Sequence, residues 1–540
     1  MLKNSSLNLP CSSFLLGVLV ALPLVGSCAR SQGENAPSAR LVSQPARSSD
    51  SFDANQWKGK TVSTDVLVLG GTPSGVAAAI AAARQGATVV LVEEQATLGG
   101  DIVYALLNMF DVPMRANGSS PVAVGIFGEI YRPLGVAFDI KKARTLLESK
   151  VAAEPNITVW KRARVEGVWK SGTRVTGGVI GAMPGTLNPA LPAAKVGVSA
   201  KTIIDASNDA DFAARAGARS FVGRQAGGHD SKQQSVSLLF SVQGANWSAM
   251  ETYVRGVKTM TAANRIGQAY ASDVAPTTSK EVAPAVKEAM PQKPVLHRLG
   301  GVDGNYIWER GDVVQNYVPR NPNVLALSVN FGRQSNGSLI LNTLNAINVN
   351  GLSEGDKARA RREMNAELQT FLPYLRRSMP GLENIQLGQV APELYIRETR
   401  HLRALYELQV DDVRQGRKFS DRIAVASYPL DLHPYERNQT NPFGPKRYYY
   451  TIPMRSVVPR DVDGVLVASR CLGASYEAAG SARVIPITMA VGQACGVAAA
   501  WGAKTNKTPH QIVQSSANYG AVQTLLRQSQ ADVGDSFPTS

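Results

Sequence analysis

The run Gly70-Gly71-Thr72-Pro73-Ser74-Gly75, with an acid further on at Glu93, has the residue types and spacing that bind a dinucleotide. Glycines in such a turn let the backbone close on a pyrophosphate. The helix that follows offers unpaired amides and the positive end of its dipole, and Gly75 lets helix and strand pack closely. Glu93 would then accept hydrogen bonds from a ribose hydroxyl pair. Thr72 stands where the second glycine of the pattern is usual, so either Gly71 takes part of that role or the phosphate sits slightly further out. The motif alone does not separate NAD from FAD.

These residues need elements to hold them, and the flanking pattern supplies them. Asp65 to Leu69 reads as a short strand, Val76 to Arg84 as an Ala-rich helix, and Thr88 to Val92 as a second strand ending at Glu93. The same logic returns near the C-terminus. Gly464 to Arg470 reads as a strand, and the loop through Ser475 to Pro486 leads into the small-residue helix Ile487 to Ala500, with Pro486 suited to a first turn. A nicotinamide dehydrogenase has no need of this second helix N-terminus.

With both blocks in place the chain resembles the FAD-dependent oxidoreductases of the glutathione-reductase-like, two-dinucleotide-fold superfamily, over nearly all of residues 62 to 503. Four segments carry the resemblance in order: Gly70 to Gly100; Phe138-Asp139 followed by Ile157 to Val168; Lys201 to Gly217; and Tyr395 to Arg400 through Tyr428 to His433 to the Gly464–Gly496 block. The resemblance implies FAD, and with no distinctive attachment motif in the sequence the cofactor is expected to be held non-covalently. The resemblance also implies an α/β fold, in which a Rossmann-like FAD-binding domain (a parallel sheet with helices and a three-stranded β insert) carries an inserted α+β substrate domain. Implied cofactor contacts are Gly99 and Gly100 beside the ribityl chain, the Val165 backbone at the adenine, Asp205, Ala206 and Ser207, and Arg470, Ser481, Val484, Ile485 and Ile487. Ser207 and Asn208 replace the family's Thr and Gly, and Asn is expected to tolerate a left-handed backbone there.

In hydride transfer to a flavin, negative charge develops at the N1–O2 edge, and the helix N-terminus at Pro486-Ile487 is suited to face it. A substrate alcohol or amine also needs a proton acceptor, and an enone a donor. The candidates in the family-like segment are His433, Arg397, Arg400 and Tyr428. Each has a plainer reading. His433 can be a structural partner of Asp431. Arg397 and Arg400, three apart on an expected helix, can pair with Glu393 or Glu398 or, equally, bind an anion. Tyr428, Tyr435 and Tyr448 to Tyr450 can be core aromatics rather than the lining of a sugar or aromatic site. Cys471 and Cys495 read as buried free thiols, and Cys471 has no CxxC partner for a redox disulfide.

A chain of 540 residues, 44% hydrophobic and 18% charged, buries a large core and divides into two domains. The expected plan is a discontinuous FAD-binding domain (61–220 and 455–505), a substrate domain (221–454) and a C-terminal tail (506–540). Ahead of them come a signal peptide (1–28) and a flexible linker (29–60). Phe14 to Leu24 has the length of a signal-peptide apolar region, and Val25-Gly26-Ser27-Cys28 resembles a bacterial lipobox. Lipidation of Cys28 would anchor an exported protein to the membrane of the cell envelope. No Arg-Arg pair precedes Phe14, so FAD loading after Sec translocation is one route to the folded flavoprotein. The net charge of +15 is spread along the chain without an aromatic-interleaved basic motif, which argues against nucleic acid. It suits anionic envelope components or an anionic substrate. No metal site is expected. The leading function is hydride transfer between a small-molecule substrate and FAD, with an electron acceptor outside the chain. The alternatives are a flavin monooxygenase or halogenase-like enzyme and a non-catalytic envelope protein with a degenerate FAD fold.

Overall fold

The computed structural model describes residues 51–52, 57–113, 115, 122, 124–183, 191–256, 296–298, 305–307, 311–314, 316–437, 439, 441–443 and 446–535. The expected signal segment with Cys28, and most of the expected linker, lie outside the described residues.

The sheet that carries the glycine turn is built around four parallel strands lying side by side: Ile157–Lys161, Val89–Glu93, Thr61–Leu69 and Lys195–Asp205. Strands covered on both faces read as continuous apolar runs, and every residue of Val89–Glu93 is buried. Lys195–Asp205 changes partner along its length. Residues 195–199 pair antiparallel with Arg174–Ala182, and residues 203–205 pair parallel with Val465–Val467. Arg174–Ala182 pairs in turn with Ala163–Ser171, giving the antiparallel β insert. Parallel pairing lines up the carboxyl ends Leu69, Glu93, Asp205 and Val467 at one edge, the side on which an open α/β sheet forms its ligand crevice.

Helices Pro73–Arg84 and Ile485–Thr505 pack together above this edge. A Cβ on Gly492 would lie 2.2 Å from the Ser74 carbonyl oxygen, and one on Gly496 would lie 2.2 Å from that of Ala78. Two glycines four apart thus let the helices approach at backbone contact and bring the first turn of one beside the second turn of the other. Ile485–Thr505 is long and apolar enough to cross a bilayer, but the window that qualifies is 83% buried inside the protein, as a core helix would be.

A second, antiparallel sheet runs in the order Leu296–Arg298, Asn305–Ile307, Val324–Arg333, Leu339–Ala346, Phe240–Gln243, Gln386–Val390. Helix Glu354–Ser378, capped by Ser353, packs Met364, Leu368, Phe371 and Leu375 into one core with Phe240, Phe331 and Leu341 of that sheet. The fold is therefore α/β, with a parallel sheet flanked by helices, an antiparallel insert and a further α+β layer. One local expectation fails. Arg397 lies in extended, irregular chain, and Arg400 opens the strand Arg400–Leu402, which pairs antiparallel with Ser220–Val222. The backbone there bonds across the chain, as in Gly223 N–H to the Thr399 carbonyl at 2.9 Å, so strand pairing overrides the helical spacing.

Candidate cofactor and substrate site

The turn after Thr61–Leu69 has no room for side chains. Gly70 takes φ +101°, and a Cβ there would sit 2.7 Å from the Ala206 carbonyl oxygen; a Cβ on Gly75 would meet the Gly70 carbonyl oxygen at 1.9 Å. Thr72 caps the helix: its hydroxyl donates to the Ala206 carbonyl (2.9 Å) and accepts from Gly75 N–H (3.2 Å). Pro73 has no N–H, so Ser74 supplies the first-turn donor without an intrahelical partner. Thr72 thus fills its glycine position by turning its hydroxyl into the turn rather than toward a ligand. Glu93, 8% exposed, accepts from Gly71 N–H at 2.6 Å and Gln95 N–H at 2.7 Å, and burial pushes its carboxyl up to about 7.

A cleft opens between this turn and the second helix N-terminus. Thr72, Pro73, Ser74, Asp101 and Asn208 line it together with Tyr395, Ile396, Arg397, Arg470, Arg483, Ile485 and Thr488. Ile485–Thr505 starts at Val484 with no side-chain cap; Ile487 and Thr488 N–H both go to the Val484 carbonyl, and Pro486 has none to offer. Ile485, whose amide has no intrahelical partner, lines the cleft at the positive end of the helix dipole. Arg470 reaches Asp209 at 2.7 Å and Asp101 at 3.5 Å. Burial pushes Asp101 up to about 6, whereas for Asp209 the pull of Arg470 and the Thr399 hydroxyl overcomes burial and holds it low. Arg483 pairs with Asp431 at 2.7 Å and donates to the Tyr395 hydroxyl at 3.2 Å. Among the described residues, the Nε groups of Arg397, Arg470 and Arg483 are buried without a hydrogen-bond partner.

The sequence matches the family described as FAD dependent oxidoreductase over residues 65–526. The chain belongs to that family. Its cofactor is FAD. Among curated proteins none matches the sequence. Among solved structures, the chain is similar to a geranylgeranyl bacteriochlorophyll reductase-like protein from Thermoplasma acidophilum (13% identity, 88% of this chain and 85% of that one, TM-score 0.38). It is also similar to the flavin-dependent brominase Bmp2 (10% identity, 86% and 83%, TM-score 0.41).

The residues present fit FAD. The side-chain-free cradle at Gly70 and Gly75, the Ser74 donor and the orphaned Arg470 Nε suit a pyrophosphate, Glu93 suits ribose hydroxyls, and the uncapped Ile485 end suits the electron-rich edge of a flavin. Other sequence candidates stand further back. Gly99 donates to the Gly71 carbonyl at 2.8 Å, and a Cβ on Gly100 would lie 3.3 Å from Thr72, so the pair backs the turn. Asp205 is fully buried and organises the adjoining loop by accepting from the Ser207 amide and hydroxyl and from Ala213 N–H. Ala206 supplies the carbonyl that Thr72 bonds. Ser481 donates to the Tyr428 carbonyl and accepts from the Tyr450 hydroxyl, and Ile487 is fully buried. Val165 sits on the antiparallel insert and does not line the cleft. The left-handed residue of the third motif is Ala210 (φ 53°) rather than Asn208, whose side chain instead donates to Asp101.

Of the four catalytic candidates, Arg397 lines the cleft, with its Nη1 on the Ser235 carbonyl and its guanidinium 4.6 Å over the Tyr395 ring. Arg400 does not: it pairs with Asp211 at 2.7 Å and bonds the Asp209 carbonyl. Neither uses Glu393 or Glu398; Glu398 pairs with His401 at 2.8 Å. His433 Nε2 lies 3.5 Å from Asp431. Burial and the Arg397 charge bring His433 down to about 4, whereas His433 and the guanidiniums of Arg483 and Arg397 outweigh burial and keep Asp431 ionised. Tyr428 is buried and hydrogen-bonded to Asp111, whose carboxyl burial raises. Tyr435 and Tyr450 belong to the interior. Cys471 and Cys495 are buried and unbridged, and burial pushes the Cys471 thiol up to about 12. Sequence reasoning passed over Asp101, Tyr395 and Arg483. Arg483 had a signal: it is the only charged residue between Glu477 and Lys504.

Proposed function

We propose that this oxidoreductase transfers a hydride between a small-molecule substrate and non-covalently bound FAD, with His433 taking up or returning the substrate proton. Bound FAD supplies the hydride-accepting centre. The observation that carries the reading is the line Arg483, Asp431, His433, with contacts of 2.7 and 3.5 Å, that runs from the cleft to an imidazole held neutral. Asp431 orients the ring, and Arg483 fixes Asp431 to the cleft wall. The Ile485 helix end offers its dipole to negative charge developing on the cofactor. A proton acceptor must be unprotonated at working pH, which His433 is, and the ionised Asp431 3.5 Å away would have to stabilise the imidazolium that forms.

The test is anaerobic flavin bleaching by a panel of alcohols, amines and acids, using purified protein of known FAD content. Reduction by a panel member in wild type, lost in His433→Gln with FAD retained, supports the reading. Reduction by NADPH alone, with no panel member effective, would replace it with the monooxygenase reading; a protein that holds no FAD would favour the non-catalytic one. We also propose export to the cell envelope and a lipid on Cys28, on the strength of the Phe14–Leu24 run and the residues before Cys28. Palmitate labelling that is lost in Cys28→Ser supports the anchor, and an unlabelled wild type sinks it.

A further inference from the structure

Three arginines line the cleft, and two of them are already neutralised: Arg470 by Asp209 and Asp101, Arg483 by Asp431. Arg397 differs. It is 3% exposed, and among the described residues no carboxylate lies within ion-pair distance of it. Its guanidinium meets the Ser235 carbonyl at 2.9 Å and the face of the Tyr395 ring, and its Nε has no partner among the described residues. A buried cation is ordinarily paired, because leaving water without a counter-charge is costly. The nearby carboxylates act on Arg397 only at longer range, Asp431 being bonded to Arg483 and Asp111 to Tyr428, and His433 is neutral. Arg397 thus brings to the cleft a buried cation whose own donors no carboxylate among the described residues takes.

Two anions can come to this cleft, a cofactor phosphate and a charged substrate. The pyrophosphate belongs at Thr72–Ser74, on the edge of the parallel sheet. Arg397 reaches the cleft from the chain that follows strand Gln386–Val390 of the second sheet, alongside Tyr395. A guanidinium fork matches a carboxylate with two parallel hydrogen bonds, and the orphaned Arg483 Nε offers a further donor nearby. We infer that Arg397 anchors a substrate carboxylate, so that this oxidoreductase acts on small organic acids rather than neutral alcohols or amines. The inference rests on reading the cleft as the substrate side of the FAD site.

The experiment titrates FAD-loaded protein with benzoate and acetate, and with benzamide and acetamide as uncharged controls, following the visible flavin spectrum. FAD content is measured on the same samples. At least one acid should perturb the spectrum saturably and bind about tenfold or more tighter than its amide. Its affinity should fall about tenfold to a hundredfold in Arg397→Met, as expected for hydrogen bonds to a charged group, and less in Arg397→Lys. Acids and amides that bind alike, or do not bind, to yellow wild-type protein overturn the inference without touching the FAD reading. So does an Arg397→Met protein that keeps FAD and binds the acids as wild type does. Colourless wild-type protein removes both together. If Arg397→Met does not fold, the acid-to-amide ratio in wild type and the weakening in Arg397→Lys decide the matter.

Discussion

His433 owes its neutral state to burial and to Arg397, which outweigh the ionised Asp431 beside it. The rate of flavin reduction should therefore rise with pH through about 4 and stay level to neutrality. His433→Gln should lower that rate by about 10²–10⁴-fold while the FAD content stays near one per chain; stopped-flow reduction with the substrate found in the panel measures both. The same shift acts on stability. Because the folded-state value lies below the ordinary 6.5, the stability His433 contributes is present above 6.5 and is lost as pH falls from there toward about 4. Glu93 acts in the opposite direction. Its value is raised from 4.5 to about 7, so its contribution is complete below 4.5 and is lost as pH rises through about 7. Between pH 6.5 and 8 the histidine contributes no further change, so the thermal midpoint of FAD-free protein should fall there and then level off. A midpoint that does not move would mean that Glu93 is already ionised at 6.5. Arg470→Met should destabilise, because it leaves Asp101 and Asp209, whose side chains are 19% and 21% exposed, without their shared cation. About 1.5–3 kcal/mol is expected by urea denaturation, with part recovered in the double variant that also carries Asp209→Asn.

At the scale of elements, the cleft depends on one helix starting against the body of another, an approach that glycine permits. Gly496→Ala would drive a methyl against the Ala78 carbonyl and Ala81, with backbone on one side of the clash, so the helices must separate. A loss of about 1–3 kcal/mol is expected, together with weaker FAD retention, since both N-termini shift. Gly520 provides the contrast: it lies inside helix Ser516–Gln528 and an added methyl would meet nothing within 4 Å, so Gly520→Ala should gain about 0.5–1 kcal/mol through helix propensity. Chemical denaturation of the two variants checks both signs. The strand, turn and helix around Gly70 were legible in the sequence because their chemistry is local: glycine torsion, a cap and a nearby acid. Arg397 and Arg400 were not, since a spacing of three suits a helix and only the pairing of Arg400–Leu402 with Ser220–Val222 reveals an extended chain. Thr72 was legible as an oddity. Its role as a helix cap depends on Ala206, which no local pattern brings near.

At the scale of the whole molecule, the glycine turn and the helix start at Ile485 were readable in the sequence and the setting of Arg397 and Asp431 was not, for a physical reason. The contacts suited to FAD come from motifs that each fold on their own strand and helix, whereas the line Arg483–Asp431–His433 and the setting of Arg397 arise where segments distant in sequence meet. The same architecture makes the cofactor a cross-link between the two ends of the chain. The glycine turn comes from the first motif and the Arg470–Ile485 wall from the last, joined through Val465–Val467 on Lys195–Asp205 and through Gly492 on Ser74. A ligand that binds only the folded state stabilises it by about 2.7 kcal/mol at a hundredfold excess over its Kd. The thermal midpoint should therefore climb with added FAD. That climb should vanish equally in Gly75→Val, which closes the cradle from the N-terminal motif, and in Gly492→Ala, which displaces the opposing helix from the C-terminal one. If FAD were held by the glycine turn alone, Gly492→Ala would lower the midpoint but leave its dependence on FAD concentration intact, and the two-ended site would be wrong.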